Sequence, residues 1–187
     1  MNELKPFSRK TLQQQAIEYT ESLAQFLQNY PTLKSVILGH PIDHLAIKAY
    51  ATEDYDQFIE SIKAFVLTPF TFTPMDNRRI ATAILKEPIQ FLPFGQTEVL
   101  EIIEPKPEKA KKTAARFDHI EIFNPDFPTI EKILVKQSIS FSRYQNSKHK
   151  ALVIVINEKG QEIKFTNSNL KQIVAEEIAE NSAFTIK

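Results

Sequence analysis

Asp43-His44-Leu45-Ala46-Ile47 returns 75 residues later as Asp118-His119-Ile120-Glu121-Ile122. Both copies are rich in aliphatic and β-branched residues, and each opens a stretch that reads as a strand. A strand sends alternate side chains to opposite faces. His44, Ala46 and Lys48 therefore share one face, as do His119, Glu121 and Phe123, while Leu45, Ile47, Ile120 and Ile122 face the other way. Two histidines heading equivalent strands predict a duplicated βαβ-type module with one imidazole from each half. Packed about a pseudo-twofold axis, the imidazoles converge on one point. Neutral imidazole is the commonest metal ligand in proteins, so the repeat points to a metal site between the modules. Asp-His alone is a common dipeptide; the inference rests on its repetition.

The rest of the chain is read outward from these two strands. Its 187 residues suffice for one large domain or two small modules sharing a core, and a single domain over 1–187 is expected. The 23 basic and 23 acidic residues cancel. No global basic field exists to hold nucleic acid, and no nucleic-acid partner is expected. The basic stretch Lys106 to Arg116 reads as a solvated linker, with an anion-contact loop as the minority reading. The absence of cysteine removes disulfides, thiolate ligands and cysteine nucleophiles together. The N-terminus is polar, no targeting signal is visible, and the longest apolar run, Ala151 to Ile156, is too short to span a bilayer. A cytoplasmic monomer or homodimer without membrane contact is expected. Three glycines serve the whole chain, which excludes a glycine-rich phosphate loop.

Leu12, Ala16, Tyr19, Leu23, Phe26 and Tyr30 recur at spacings of three and four, predicting an amphipathic helix over 10–29 that ends before Pro31. The first module spans 43–105. After the His44 strand, Thr52 can cap a helix carrying Tyr55, Phe58, Ile59, Ile62 and Phe65. Pro69 to Asp76 reads as a loop or edge strand. Strands follow over Arg79 to Leu85, Pro88 to Leu92 and Glu98 to Ile103, with Phe94-Gly95-Gln96 as the last turn. The second module, 117–166, repeats this order compactly. It has the His119 strand, a helix with Pro128 in its first turn, a short strand at Ile139 to Arg143, and a hairpin of Ala151 to Asn157 with Gln161 to Phe165. Ser168 caps a final helix over 168–181. His40 and His149 fall in loop-like surroundings and read as exposed, and Arg78 and Arg79 read as a solvated strand end. The 14 phenylalanines mostly build core. No Ser-His-Asp spacing is visible.

A β-α-β-β-β order written twice, with a histidine heading each copy, resembles the vicinal oxygen chelate superfamily of glyoxalases, epimerases, extradiol dioxygenases and antibiotic-resistance proteins. Within it the chain is similar to the bacterial YecM-like family. The shared features are the D-H-L-A-I opening, Glu87-Pro88-Ile89-Gln90, D-H-I-E-I at 118–122, I-K-F at 163–165, and Ile173 to Glu177 in a C-terminal helix. The resemblance implies an α+β fold in which two tandem βαβββ modules form facing, partly closed sheets around a cavity.

It also implies a site. His44 and His119 match the two histidine positions. Glu101-Ile102-Ile103-Glu104-Pro105 resembles the epimerase ending, which makes Glu101 the third metal ligand, with Glu104, of opposite parity, as the fallback. Two imidazoles and one carboxylate suit Zn, Fe, Ni, Co or Mn and leave positions open for substrate. The fourth acid of the superfamily is missing: Gly160-Gln161-Glu162-Ile163-Lys164 puts Lys164 in its place. Lys164 can pair with Glu121, anchor a substrate carboxylate or replace the metal, while Glu162 shares its parity and can offer a carboxylate nearby.

The leading functional expectation is a divalent-metal enzyme of isomerase, lyase or oxygenase type acting on a small molecule, with Glu121 as proton shuttle. The alternative is a non-catalytic protein that holds a small-molecule ligand in the same cavity without metal. A vestigial pocket is the third and weakest reading.

Overall fold

The repeat becomes two adjacent strands at the centre of the molecule. The computed structural model describes residues 8–49, 55–75, 78–105, 116–124, 126–145 and 149–184. Two helices come first, α1 (Arg9–Leu27) and α2 (Pro31–Leu38). Then β1 (Ile42–Lys48), α3 (Tyr55–Ile62), β2 (Thr71–Met75), β3 (Arg78–Phe91) and β4 (Gly95–Ile103) follow. The same order returns as β5 (Arg116–Phe123), α4 (Phe127–Lys136), β6 (Ser142–Gln145), β7 (Lys150–Val155) and β8 (Glu162–Thr166), and α5 (Leu170–Phe184) closes the series. The fold is α+β, and the strands form one eight-stranded open sheet in the order β2-β3-β4-β1-β5-β8-β7-β6. Its two four-stranded halves meet at the antiparallel β1–β5 pair, where Leu45 lies opposite Ile120, its own counterpart in the repeat. The pseudo-twofold axis therefore passes between these two residues. His44 opposite Glu121 and Ala46 opposite His119 flank it.

Strand parity divides the molecule into a dry side and a wet side. Leu45, Ile47, Leu100, Ile102, Ile120, Ile122, Ile163 and Phe165 all point into one hydrophobic core. Helices α1, α3 and α4 add Leu12, Tyr19, Leu23, Phe58, Ile62, Ile130 and Leu134 to that core. Tyr19 stacks near Phe117 with ring centroids 4.5 Å apart, and its hydroxyl donates to the Glu162 carbonyl at 2.7 Å. This fastens α1 to the second half of the sheet. The opposite face carries Ala46, Ile80 and Ile103, and α5 packs there on β1, β2 and β3.

Five local readings change, the first being the short strand expected at Ile139 to Arg143, which runs Ser142–Gln145 as β6. Pro31 ends the first helix but also starts a second, α2, sitting in its first turn where a missing N–H costs nothing. Strands expected at Arg79–Leu85 and Pro88–Leu92 are one strand, β3, whose pairing to β4 slips between Ile84 and Ile89, a stretch that includes Pro88 with no N–H to give. Gly95, expected in the turn, opens β4 with φ 128°, a conformation reserved for glycine. The final helix is capped by Asn169, whose side chain accepts from the Gln172 N–H, rather than by Ser168. Thr52 and the basic stretch from Lys106 lie outside the described residues, apart from Arg116, the first residue of β5. No helix among the described residues is long and apolar enough to cross a membrane.

Candidate metal centre

β1 and β5 each carry a bulge, and both fall on the aspartate before the histidine. Pairing jumps from Ile42–Ile122 to His44–Glu121, leaving Asp43 without an opposite residue, and from Ala46–His119 to Ile47–Phe117, leaving Asp118 without one. A bulged residue escapes strict alternation and is re-aimed. Each aspartate can then reach the histidine next to it. Nδ1–H of His44 donates to Asp43 Oδ2 at 2.8 Å, and Nδ1–H of His119 donates to Asp118 Oδ2 at 3.2 Å. A carboxylate only accepts, so each Nδ1 keeps its proton and each Nε2 is left facing the cleft, where it can ligate a metal that displaces any proton it carries.

The two imidazole rings lie 5.8 Å apart, centroid to centroid. Glu101 comes from β4, where it sits beside Ala46, and its Oε2 is 3.9 Å from Nε2 of both His44 and His119. One donor atom from each of these three residues falls within 4.8 Å of the others. Glu104 goes elsewhere. It takes two bonds from the Arg79 guanidinium, at 2.9 and 3.2 Å, and one from the Arg79 backbone N–H, at 2.8 Å. These bonds hold its carboxyl below the usual range, against the burial that works the other way.

Glu121 has its Oε1 3.8 Å from His44 Nε2 and 3.5 Å from His119 Nε2. Lys164 is the register equivalent of Glu101, because it lies beside Glu121 as Glu101 lies beside Ala46. Its Nζ is 3.1 Å from His119 Nε2, 3.7 Å from Glu121 Oε1 and 3.9 Å from Glu162 Oε2. The ammonium thus stands in the quarter where the fold repeat would otherwise bring a second carboxylate. Asp118, His119 and Glu162 also gather three donor atoms within 4.8 Å, but Asp118 is already engaged by His119 and Lys48.

The fields are one-sided. Asp43, Glu101, Asp118, Glu121 and Glu162 surround the imidazoles, and the ammonium groups here are those of Lys48 and Lys164. Burial disfavours a charged His44, yet Glu121, the Asp43 hydrogen bond and Glu101 outweigh it and push the imidazole up to about 9. Burial likewise opposes ionised Glu121, and His44, His119 and Lys164 overcome it, holding the carboxyl well below its usual range. His44 Nε2 and Glu121 Oε2 are buried without a hydrogen-bond partner. An excess of carboxylates, a raised histidine and an orphaned imidazole nitrogen together describe a place that favours a cation.

The centre opens into a cleft of about 700 Å³ between the two halves of the sheet, with Leu170 and Ile173 of α5 on its wall. Three contributors were not singled out from the sequence as parts of the site. Asp43 and Asp118 were quoted in the repeat, and the signal was there: both copies begin with aspartate. His149, read as exposed, is mostly buried in the cleft wall. Its Nε2 is 3.8 Å from Glu121 Oε2 and its Nδ1 is 3.0 Å from Ser168 Oγ, and burial pushes its pKa down. His40, by contrast, contacts the Val36 carbonyl and Asn124, away from the cleft.

No family model and no curated protein matches the chain. Among solved structures it resembles the structural-genomics protein EC4020, with a TM-score of 0.64 and 17% identity over 86% of this chain and 87% of that one. It overlaps less fully with methylmalonyl-CoA epimerase of Streptomyces coelicolor (TM-score 0.46, 14% identity, 68% of this chain and 96% of that one). A hypothetical protein of Bacillus halodurans C-125, BH1468, stands at 0.47, 14%, 68% and 93%. At such identities the likeness to EC4020 is one of fold, and the chemistry rests on the residues themselves.

Proposed function

We propose that the chain binds one divalent transition metal through His44 Nε2, His119 Nε2 and a Glu101 oxygen, and acts with it on a small molecule. The observation that carries this reading is the pair of aspartate-anchored imidazoles aimed at one glutamate. Each Nδ1 is tied back to a carboxylate, the usual partner of a metal-bound histidine. Two nitrogens and one oxygen suit Zn, Fe, Ni, Co or Mn and leave open positions. A metal bound there would act as a Lewis acid on neighbouring oxygens of the small molecule.

The protein's own residues supply the rest. Glu121 lies between the imidazoles and against Lys164, where it can take or return a proton at a carbon or oxygen held near the centre. Ionised so readily by His44, the His119 hydrogen bond and Lys164, it is a weak base while these groups stay beside it. A ligand anion that draws the ammonium away raises its basicity. Lys164 therefore serves to position the charge on Glu121. The class of reaction that fits these parts is isomerisation, lysis or oxygenation.

A second reading is a metal-free pocket that holds a small molecule without transforming it. It is favoured by one contact, Lys164 Nζ at 3.1 Å from His119 Nε2, where a metal would have to displace it. Elemental analysis of protein purified with no added metal separates the two. Near-stoichiometric transition metal is expected; its absence supports the metal-free pocket.

A further inference from the structure

Among the described residues lining the cleft, one cationic side chain is engaged neither by the centre nor by a carboxylate. On β3, Arg78, Ile80 and Thr82 line the cleft at alternate positions. Thr82 pairs with Glu101 and Ile80 with Ile103, so Arg78 stands two steps further along the same face. The four residues from Thr82 to Arg78 span roughly 13 Å of strand.

The cations around Arg78 are engaged. Arg79 is bound by Glu104 and Asp56 and lies over the Tyr55 ring. Arg143, on the opposite wall, is held by both oxygens of Glu131. Lys164 has Glu121 and Glu162. The Arg78 side chain has no hydrogen bond or ion pair among the described residues, and its Nε is buried without a partner. A guanidinium cannot shed its proton, so a buried N–H left unpaired is a standing cost. An arriving anion relieves it, and a carboxylate matches its fork. Between Arg78 and the Glu101 level the cleft face carries the paired Ile80 and Ile103, and Pro74 and Ile173 add apolar lining elsewhere in the cleft.

We infer that Arg78 is an anion-binding residue of the cleft and that the ligand is a small dicarboxylic acid. Its vicinal oxygens lie at His44, Glu101 and His119, its short apolar body along Ile80 and Ile103, and its far carboxylate on Arg78. This deepens the metal reading and rests on it for the near end only. A single guanidinium, with no described second cation free beside it, balances a carboxylate and leaves a phosphate dianion undercompensated.

The test is calorimetric, on wild type, R78Q and R78K. Ni(II) is titrated first, which examines the metal reading alone. 2-Oxoglutarate and 2-oxobutyrate are then titrated into the Ni(II)-loaded protein, since both offer a 2-oxo carboxylate and only the first has a far carboxylate. Wild type is expected to prefer 2-oxoglutarate by about tenfold or more, in line with a charge-assisted bond. R78Q should lose that preference, R78K should keep part of it, and Ni(II) affinity should be the same in all three. The melting temperature of R78Q should equal or exceed that of wild type, because the arginine gives up no internal bond. If Ni(II) does not bind, glutarate and butyrate are compared on the metal-free protein. A preference that R78Q abolishes then keeps the anion site and removes the metal reading. No preference in wild type, no binding of either acid, or a preference unchanged in R78Q overturns the inference.

Discussion

Lys164 governs how the centre holds a cation. Its ammonium lies within 4 Å of His119, Glu121 and Glu162 and repels any metal placed among the same groups. Two like charges at 4 Å, even in an effective dielectric of 20, interact by about 4 kcal/mol for unit charges. Lys164→Glu is therefore expected to tighten Mn(II) or Ni(II) binding by at least about tenfold in a calorimetric titration. Unchanged or weaker binding would mean that this position does not face the metal. The two glutamates of β4 give a second contrast. Glu101→Gln should weaken metal binding sharply with little change in melting temperature. Glu104→Gln should leave metal binding intact and cost about 1–2 kcal/mol of stability, a modest figure because its Arg79 partner is half exposed. A denaturation curve beside each metal titration tells these apart; swapped outcomes would place the inward carboxylate at Glu104.

At the scale of elements, two bulges and one helix set the geometry. The bulges at Asp43 and Asp118 turn the aspartates onto the histidines, and Asp43 also accepts the Leu170 N–H at the start of α5. The same carboxylate thus orients His44 and seats the helix that walls the cleft. On the other face, Tyr19→Phe removes the bond that ties α1 to β8. Its loss leaves the Glu162 carbonyl short of a partner in a part-buried setting and should cost about 1–2 kcal/mol in urea denaturation. No measurable cost would show that α1 is held by packing alone. Periodicity made most of these elements legible: the α1 stripe, the His44 and His119 strands, and the β7–β8 hairpin follow directly from spacing. What spacing could not show is where alternation fails. A bulge adds a residue without altering the run of apolar side chains, so the roles of Asp43 and Asp118 stayed hidden. Helix α2 was hidden because a proline that ends one helix can begin the next, and His149 because a residue before a strand takes its burial from partners distant in sequence.

For the whole molecule, the charges of the centre set a pH profile. In the metal-free protein His44 titrates near 9, above the ordinary histidine value of about 6.5. Its contribution to stability is present in full below about pH 6.5 and is lost as the pH rises through 9. Glu121, Asp118 and Glu104 are depressed, so their contribution is present in full above the ordinary carboxylate range, about 4.3, and is lost as the pH falls through their lowered values. Melting temperature in chelator should therefore peak between about pH 5 and 6.5 and decline on both sides. Saturating metal should remove the alkaline decline, because the metal takes the place of the His44 proton. A metal-free protein whose stability is flat from pH 6.5 to 9 would show that His44 carries no such charge.

The central claim is that the repeated histidines converge with Glu101 on one divalent ion. It is tested most directly by titrating chelator-stripped protein with Zn(II) at about pH 7.5, in wild type and in His44→Ala, His119→Ala and Glu101→Gln, each checked for folding by circular dichroism. One ion per chain is expected in wild type. Affinity in each variant should fall by more than the roughly 10- to 100-fold that loss of an outer-sphere partner costs. No binding by wild type, or binding that survives in both histidine variants, would contradict it.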